Sequence, residues 1–292
     1  MHDREASDDE EGIWTPLQLA AAQSDLPHVK LLLDQPSGSN PNEPPRGYYG
    51  HTALQAASLN GHLEVVETLL AAGAQVDAPG GNNGGRTALA LAAGAGHFPI
   101  VRHLVVAAGA DITRPPHKYN GRTALQAAAE EGHFEIVQWL LLYHQQQQQQ
   151  QQQPVTEVIN APPASNRGRT ALQAASAGGF DEMVEFLLHA GAEVNAPASR
   201  YQGVTALQGA ALNGHYTTVR RLLAAGADVN APGARYNGYT ALAAAAAGGH
   251  ADIVRLLLDA GADRAMVSGN KMWTAARFAV ARGQKGVVWL LG

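Results

Sequence analysis

The stretch Thr52-Ala53-Leu54-Gln55-Ala56-Ala57, followed by Gly61-His62, Val65-Val66, Leu69-Leu70 and Gly73-Ala74, returns along the chain with little change. Its opening reappears as Thr123-Ala124-Leu125-Gln126-Ala127-Ala128, and again at Thr170, Thr205 and Thr240. With looser copies included, the marker threonines are Thr15, Thr52, Thr87, Thr123, Thr170, Thr205, Thr240 and Thr274, spaced by 37, 35, 36, 47, 35, 35 and 34 residues. A period of this size is the signature of a solenoid, in which one supersecondary unit buries its apolar face only by stacking on its neighbours. Eight units are expected, with one long spacing between the fourth and fifth.

Each unit reads as two helices. Thr52 supplies N-terminal hydrogen-bonding capacity. Ala53, Leu54, Ala56 and Ala57 follow at helical spacing and are mostly small, so neighbouring helices can approach closely. Gly61 ends the first helix in the left-handed conformation that glycine adopts without penalty. Val65, Val66, Leu69 and Leu70 form one face of the second helix, and Gly73 ends it. A segment rich in Gly, Pro and Asn then reads as a hairpin-like finger.

These residues closely resemble the ankyrin repeat, which carries Thr-Pro-Leu-His on its first helix, Gly-His between helices, Val-Val-x-Leu-Leu on the second and Gly-Ala-Asp-Val-Asn at the exit. That exit stands here as Gly226-Ala227-Asp228-Val229-Asn230, and Pro16 keeps the family's proline in the first unit. Gln replaces the family's His at Gln18, Gln55, Gln126, Gln173 and Gln208. The period exceeds the family's usual 33 residues. The extra length falls in the finger, as in Asn230 to Gly238. This longer variant looks like the C-terminal arrays of fungal NACHT-type receptor proteins. The resemblance implies an all-α ankyrin solenoid of about eight helix-turn-helix units with short β-hairpin-like fingers. It also implies a non-catalytic protein-interaction scaffold that holds a partner in its concave groove and on its fingers. The alternative is a recognition module separated from a larger NACHT-type receptor.

Composition narrows the function further. Charged residues make up 15% of the 292 and the formal net charge is −5, which argues against nucleic acid as the main ligand. With no cysteine, disulfides, zinc–cysteine sites and cysteine nucleophiles are excluded. No secretory h-region is visible, and no stretch approaches the ~18 apolar residues of a membrane span. An intracellular protein is expected, in the cytoplasm, with the nucleus as the alternative and no membrane partner. No phosphate loop, Gly-x-Ser-x-Gly or His-Glu-x-x-His motif occurs, so no enzyme, cofactor or small-molecule substrate is expected.

Residues 1–12 read as an acidic disordered tail. The repeat domain is expected over 13–292, interrupted at about 144–165 by a Gln-rich insert containing nine glutamines, Gln145 to Gln153. Because these replace the Gly-Ala exit of the fourth unit, a weak joint is expected there. Gln is a good helix former, so the second helix can continue past Tyr143, although a solvated loop is the simpler expectation. Trp273 and Trp289 are expected to pack the last unit onto Leu256 and Leu257.

Four fingers carry Tyr two residues before Gly: Tyr48, Tyr119, Tyr201 and Tyr236. Lys118, Arg200 and Arg235 precede three of them. Tyr and Arg dominate binding hot spots, so this row is a candidate partner site. The alternative is that each ring stacks on the next finger and only stiffens the row. The end of the first helix varies between units and supplies the other candidates, Asn60, Glu130, Glu131 and Asn213. His62, His97, His133, His215 and His250 share one repeat position, too far apart to share a metal ion. A hydrogen bond tying adjacent units is expected of each. Asn195 and Asn230 are expected to bond the finger backbone.

Overall fold

The computed structural model describes residues 14–35, 38–45, 50–81, 85–151, 156–166, 168–236 and 238–292. The acidic stretch 1–12, Arg46 and Tyr48 lie outside the described residues. The fold is all-helical, and no strand occurs among the described residues. Helices follow in pairs: α1 (Pro16–Ala22) with α2 (Leu26–Asp34), α3 (Ala53–Asn60) with α4 (Leu63–Ala71), and α5 (Ala88–Gly94) with α6 (Phe98–Arg102). Then come α7 (Ala124–Glu131) with α8 (Phe134–Gln151) and the short α9 (Thr156–Ile159), and α10 (Ala171–Gly178) with α11 (Asp181–His189). The array closes with α12 (Ala206–Asn213) and α13 (Tyr216–Ala224), α14 (Ala241–Gly248) and α15 (Ala251–Asp259), and α16 (Ala275–Ala281) and α17 (Lys285–Leu291).

The marker threonine caps the first helix of each pair. Thr52 Oγ1 accepts from the Gln55 amide at 3.2 Å, while Gln55 Oε1 accepts from the Thr52 amide at 2.9 Å, a reciprocal capping box. Gln55 Nε2 then reaches the finger and donates to Ala78 O at 2.9 Å. The same double duty recurs at Gln126, Gln173 and Gln208. Glutamine is therefore buried at this position because it satisfies the helix start and the finger with one side chain. Where Ala243 replaces it, Ser268 Oγ accepts from the Thr240 amide at 2.8 Å instead.

First helices pack closely on the first helices of adjoining pairs, and their small residues Ala57, Ala92, Ala128, Ala175, Ala210 and Ala245 are all fully buried. Second helices meet their neighbours at fewer points. The array therefore bends with first helices and fingers on its concave side. The turn between helices is locked from the next unit. Gly61 has φ +83°, and the imidazole of His97 lies 2.6 Å from where a Cβ would stand. Only glycine meets both conditions. That close approach lets His97 Nε2 bond Leu59 O at 3.0 Å, as His62, His133, His215 and His250 bond the preceding unit. Phe180 takes this position in the fifth unit and packs over Gly132.

One local feature absorbs an extra residue. From Gly96 to Gly109 there is one residue more than from Gly61 to Gly73. The chain widens into a π-helical turn over His103–Ala107, after which Ala110 is buried at the usual place. Such π-bulges accommodate a single insertion without breaking the helix.

The Gln-rich segment does not form a loop throughout. α8 runs on to Gln151, because each Gln can keep the i→i−4 ladder going. The chain then returns through α9, whose Val158 and Ile159 are buried. Asn160 rejoins the register: its Nδ2 donates to Gly191 O at 3.1 Å and its Oδ1 accepts from the Glu193 amide at 2.8 Å. Asn195 and Asn230 stitch successive exits in the same way. α8 and α11 meet through an edge-on contact of Phe134 with Phe186, 5.6 Å between ring centres. A shallow depression lined by Gly132, Phe134, Phe180 and Met183 opens beside it. Amides of α8 beyond Tyr143 are expected to exchange with solvent sooner than those of α10. Uniform protection across 130–180 in a hydrogen-exchange experiment would refute a weak joint here.

The C-terminal unit departs from expectation. Trp273 packs edge-on against Phe278 at 5.2 Å, but Trp289 is 83% exposed rather than packed on Leu256 and Leu257. Trp289 occupies the outer-helix position filled by Glu185, Arg220 and Arg255 in earlier units, which faces solvent.

Candidate functional site

The fingers are held to one another tip to tip. Isolated parallel bridges join Tyr119 to Asn166, Asn166 to Tyr201, and Tyr201 to Tyr236. Among the described residues of these fingers no hairpin ladder forms; pairing runs between neighbouring units. Ser165 N donates to Lys118 O at 3.1 Å and Gln202 N to Tyr236 O at 3.3 Å. Asn120 and Gln202, immediately after the tyrosines, adopt positive φ of 54° and 53°, which turns each tip back toward its helix.

This register puts the tyrosines in one row. Tyr119, Tyr201 and Tyr236 are 51%, 46% and 36% exposed. The rings of Tyr201 and Tyr236 stack at 5.2 Å with only 9° between planes. Tyr119 is separated from that pair by Asn166, which occupies the fourth unit's tip. Lys118 Nζ stands 5.5 Å from the Tyr119 ring centre, and the guanidiniums of Arg200 and Arg235 stand 5.8 Å from Tyr201 and Tyr236. Each of these three fingers thus presents a cation beside an aromatic face. The stacking expected to stiffen the row is present between Tyr201 and Tyr236, and both rings still offer surface to solvent.

The variable helix ends divide. Asn60 Nδ2 donates within its own helix to Ala56 O at 3.0 Å, and Asn213 Nδ2 crosses to Ala177 O at 2.8 Å. Glu131 is exposed. Glu130 is engaged: Arg122 Nε and Nη2 donate to its two carboxylate oxygens at 2.8 and 3.2 Å. Arg86 Nη2 lies 4.0 Å from the same carboxylate. Burial works to raise the Glu130 pKa, but the hydrogen bond and charge of Arg122, with the charges of Arg86 and Arg169, hold it below the ordinary carboxylate value. Arg86 reaches this point by lying over the end of α5, where Gly94 leaves room.

Arg86, Arg122 and Arg169 were not among the candidates read from the sequence. A signal existed: each stands immediately before its capping threonine, Thr87, Thr123 and Thr170. The histidines spend a ring nitrogen on backbone carbonyls, and among the described residues no three His, Asp or Glu converge as for a metal. No helix among those residues is long and apolar enough to cross a membrane.

Comparison with known proteins agrees with this architecture. A family model described as ankyrin repeats (3 copies) matches residues 2–80, 75–153, 151–233 and 207–292. Ankyrin repeat domain-containing protein 39 of Homo sapiens is 42% identical over 74 residues, which is 25% of this chain and 36% of that protein. The chain therefore matches only about a third of that relative's length.

Proposed function

Since the chain belongs to the ankyrin repeat family, whose arrays mediate protein–protein interaction, we propose that it is a non-catalytic scaffold that binds a protein partner through the concave groove and finger tips. The observation that carries this reading is the exposed, stacked Tyr201–Tyr236 pair, each ring flanked by an arginine and braced by inter-finger bridges. A surface rigid before binding loses little conformational entropy on association. We read the array as eight units over 13–292, with 144–165 an insert in the fourth, working in the cytoplasm.

The double change Tyr201→Ala with Tyr236→Ala tests it. Both rings are partly exposed, so folding should persist while partner capture from a lysate of the source organism weakens by more than about 2 kcal/mol, roughly thirtyfold. Unfolding of the double variant would make the tyrosines architectural. Undiminished capture by a folded variant would move the site off the fingers.

The 35-residue unit with its long finger supports a second reading, a recognition module acting with a NACHT-type ATPase. A NACHT-type reading frame joined to this one in the source genome would favour it. Its absence from that locus would leave the free scaffold.

A further inference from the structure

Charge is sorted between the two faces of the array. The finger segments 79–86, 113–122, 161–169, 196–204 and 231–239 hold eight Lys or Arg and no Asp or Glu. The first-helix segments 53–60, 88–95, 124–131, 171–178, 206–213 and 241–248 add two acids, Glu130 and Glu131. In sequence these segments together hold eight Lys or Arg against two acids, in a chain whose formal net charge is −5, while the first finger, outside them, adds Glu43 and Arg46. The acidic stretch 1–12 accounts for a net −5 by itself, and the second helices add acids such as Glu64, Glu67, Glu182 and Glu185. A concave surface of one sign focuses its field on an incoming ligand.

The positive charge lies in two tiers. Lys118, Arg200 and Arg235 stand exposed at the tips. Arg86, Arg122 and Arg169 stand at the finger bases; Arg122 and Arg86 meet the Glu130 carboxylate, and the charge of Arg169 acts on it. Arg122 already holds that carboxylate by the two-pronged contact that guanidinium makes with Asp and Glu side chains.

We propose that the groove recognises an acidic protein segment, one whose Asp or Glu side chains pair with the finger-base and finger-tip cations while its backbone runs along the tyrosine row. This rests on the groove-binding reading above and names the class of partner. A peptide suits the site better than a nucleic acid. Glu130 and Glu131 stand midway along the basic path, where an evenly charged phosphate chain would meet them. A peptide can place neutral residues there.

The test uses the full chain and labelled probes followed by fluorescence anisotropy: an acidic dodecapeptide alternating Asp and Gly, its Asn counterpart, and a uridine dodecamer. The acidic peptide should bind at least about tenfold more tightly than the Asn peptide. That preference should collapse between about 10 mM and about 150 mM salt, as the screening length falls from about 30 to about 8 Å. Arg122→Gln with Arg169→Gln should abolish the preference. Because Arg122 also braces Glu130, Arg200→Gln with Arg235→Gln at the exposed tips provides a second variant, expected to reduce the preference without lowering the melting temperature. Equal binding of the acidic and Asn peptides, or binding of neither, would overturn the proposal. Tighter binding of the uridine dodecamer would also overturn it and assign the face to nucleic acid. A lysate partner lost with the tyrosine pair but retained by both arginine variants would sink this inference and leave the groove reading standing. A partner retained by all three variants would sink both.

Discussion

Leu222→Ala should destabilise the array by about 2–5 kcal/mol, the range found when a buried leucine is truncated and its cavity only partly closes. Leu222 is fully buried on α13, beside Val219 and Thr218, which are equally inaccessible. Its carbonyl also accepts the Ala227 amide that closes the exit turn, at 2.9 Å. Relaxation around the cavity is limited from both sides, because α13 packs on α12 within its unit and lies between α11 and α15. In a stacked array, stability is close to a sum of unit and interface terms. The loss should therefore appear as a lower urea midpoint, with faster hydrogen exchange spreading into α11 and α15. A midpoint within error of the wild type would mean that the unit repacks around the missing side chain.

Gln208→Leu tests the residue that most distinguishes this array from the family pattern. Gln208 Oε1 accepts the Thr205 amide at 3.0 Å, and Nε2 donates to Ala231 O at 3.0 Å and Pro232 O at 3.1 Å. Leucine keeps the volume but leaves one buried donor and two finger carbonyls without their partner. At about 1–3 kcal/mol for each buried group left unsatisfied, with water able to reach the finger carbonyls in part, the expected cost is about 2–4 kcal/mol. The finger 231–236 should also loosen, which would uncouple Tyr236 from Tyr201 and weaken partner capture along with stability. A stability loss under about 0.5 kcal/mol, the scale of an ordinary surface change, would show that the capping threonine alone maintains the helix start. Ala243 shows how the fold compensates elsewhere: Ser268 supplies the missing acceptor to Thr240.

The repeating unit was legible because it is written locally and many times. Thr-Ala-Leu-Gln-Ala-Ala encodes a cap, an apolar helix face and close helix–helix approach, and the turn glycines mark where each helix stops. The histidines also read correctly, since a residue locked to the repeat period meets the same backbone group in every layer, whereas Asn195 and Asn230, expected on the finger backbone, bond the exit turn of the next unit. The one-residue insertion in the third unit was visible as a spacing of 36, but only the structure locates it in a π-helical turn over His103–Ala107. Trp289 was misread because a tryptophan near the chain's end suggests a plug. Its helical position points outward instead, as Glu185 and Arg255 do in earlier units, and position overrides hydrophobicity.

By itself the sequence determined the helix pairs, their order and the layer-to-layer ties, because each depends on contacts within one unit or between a unit and its neighbour. The tertiary structure alone decided which side chains share a surface. It stacked Tyr201 on Tyr236 and set Tyr119 apart from them. It carried α8 through the glutamines and recovered register at Asn160. It also brought Arg86 and Arg122, which lie 36 residues apart in the chain, to one carboxylate. Periodicity gives the distance along the chain at which residues recur. How their side chains meet depends on finger register and array curvature, and these exist only once the units are stacked.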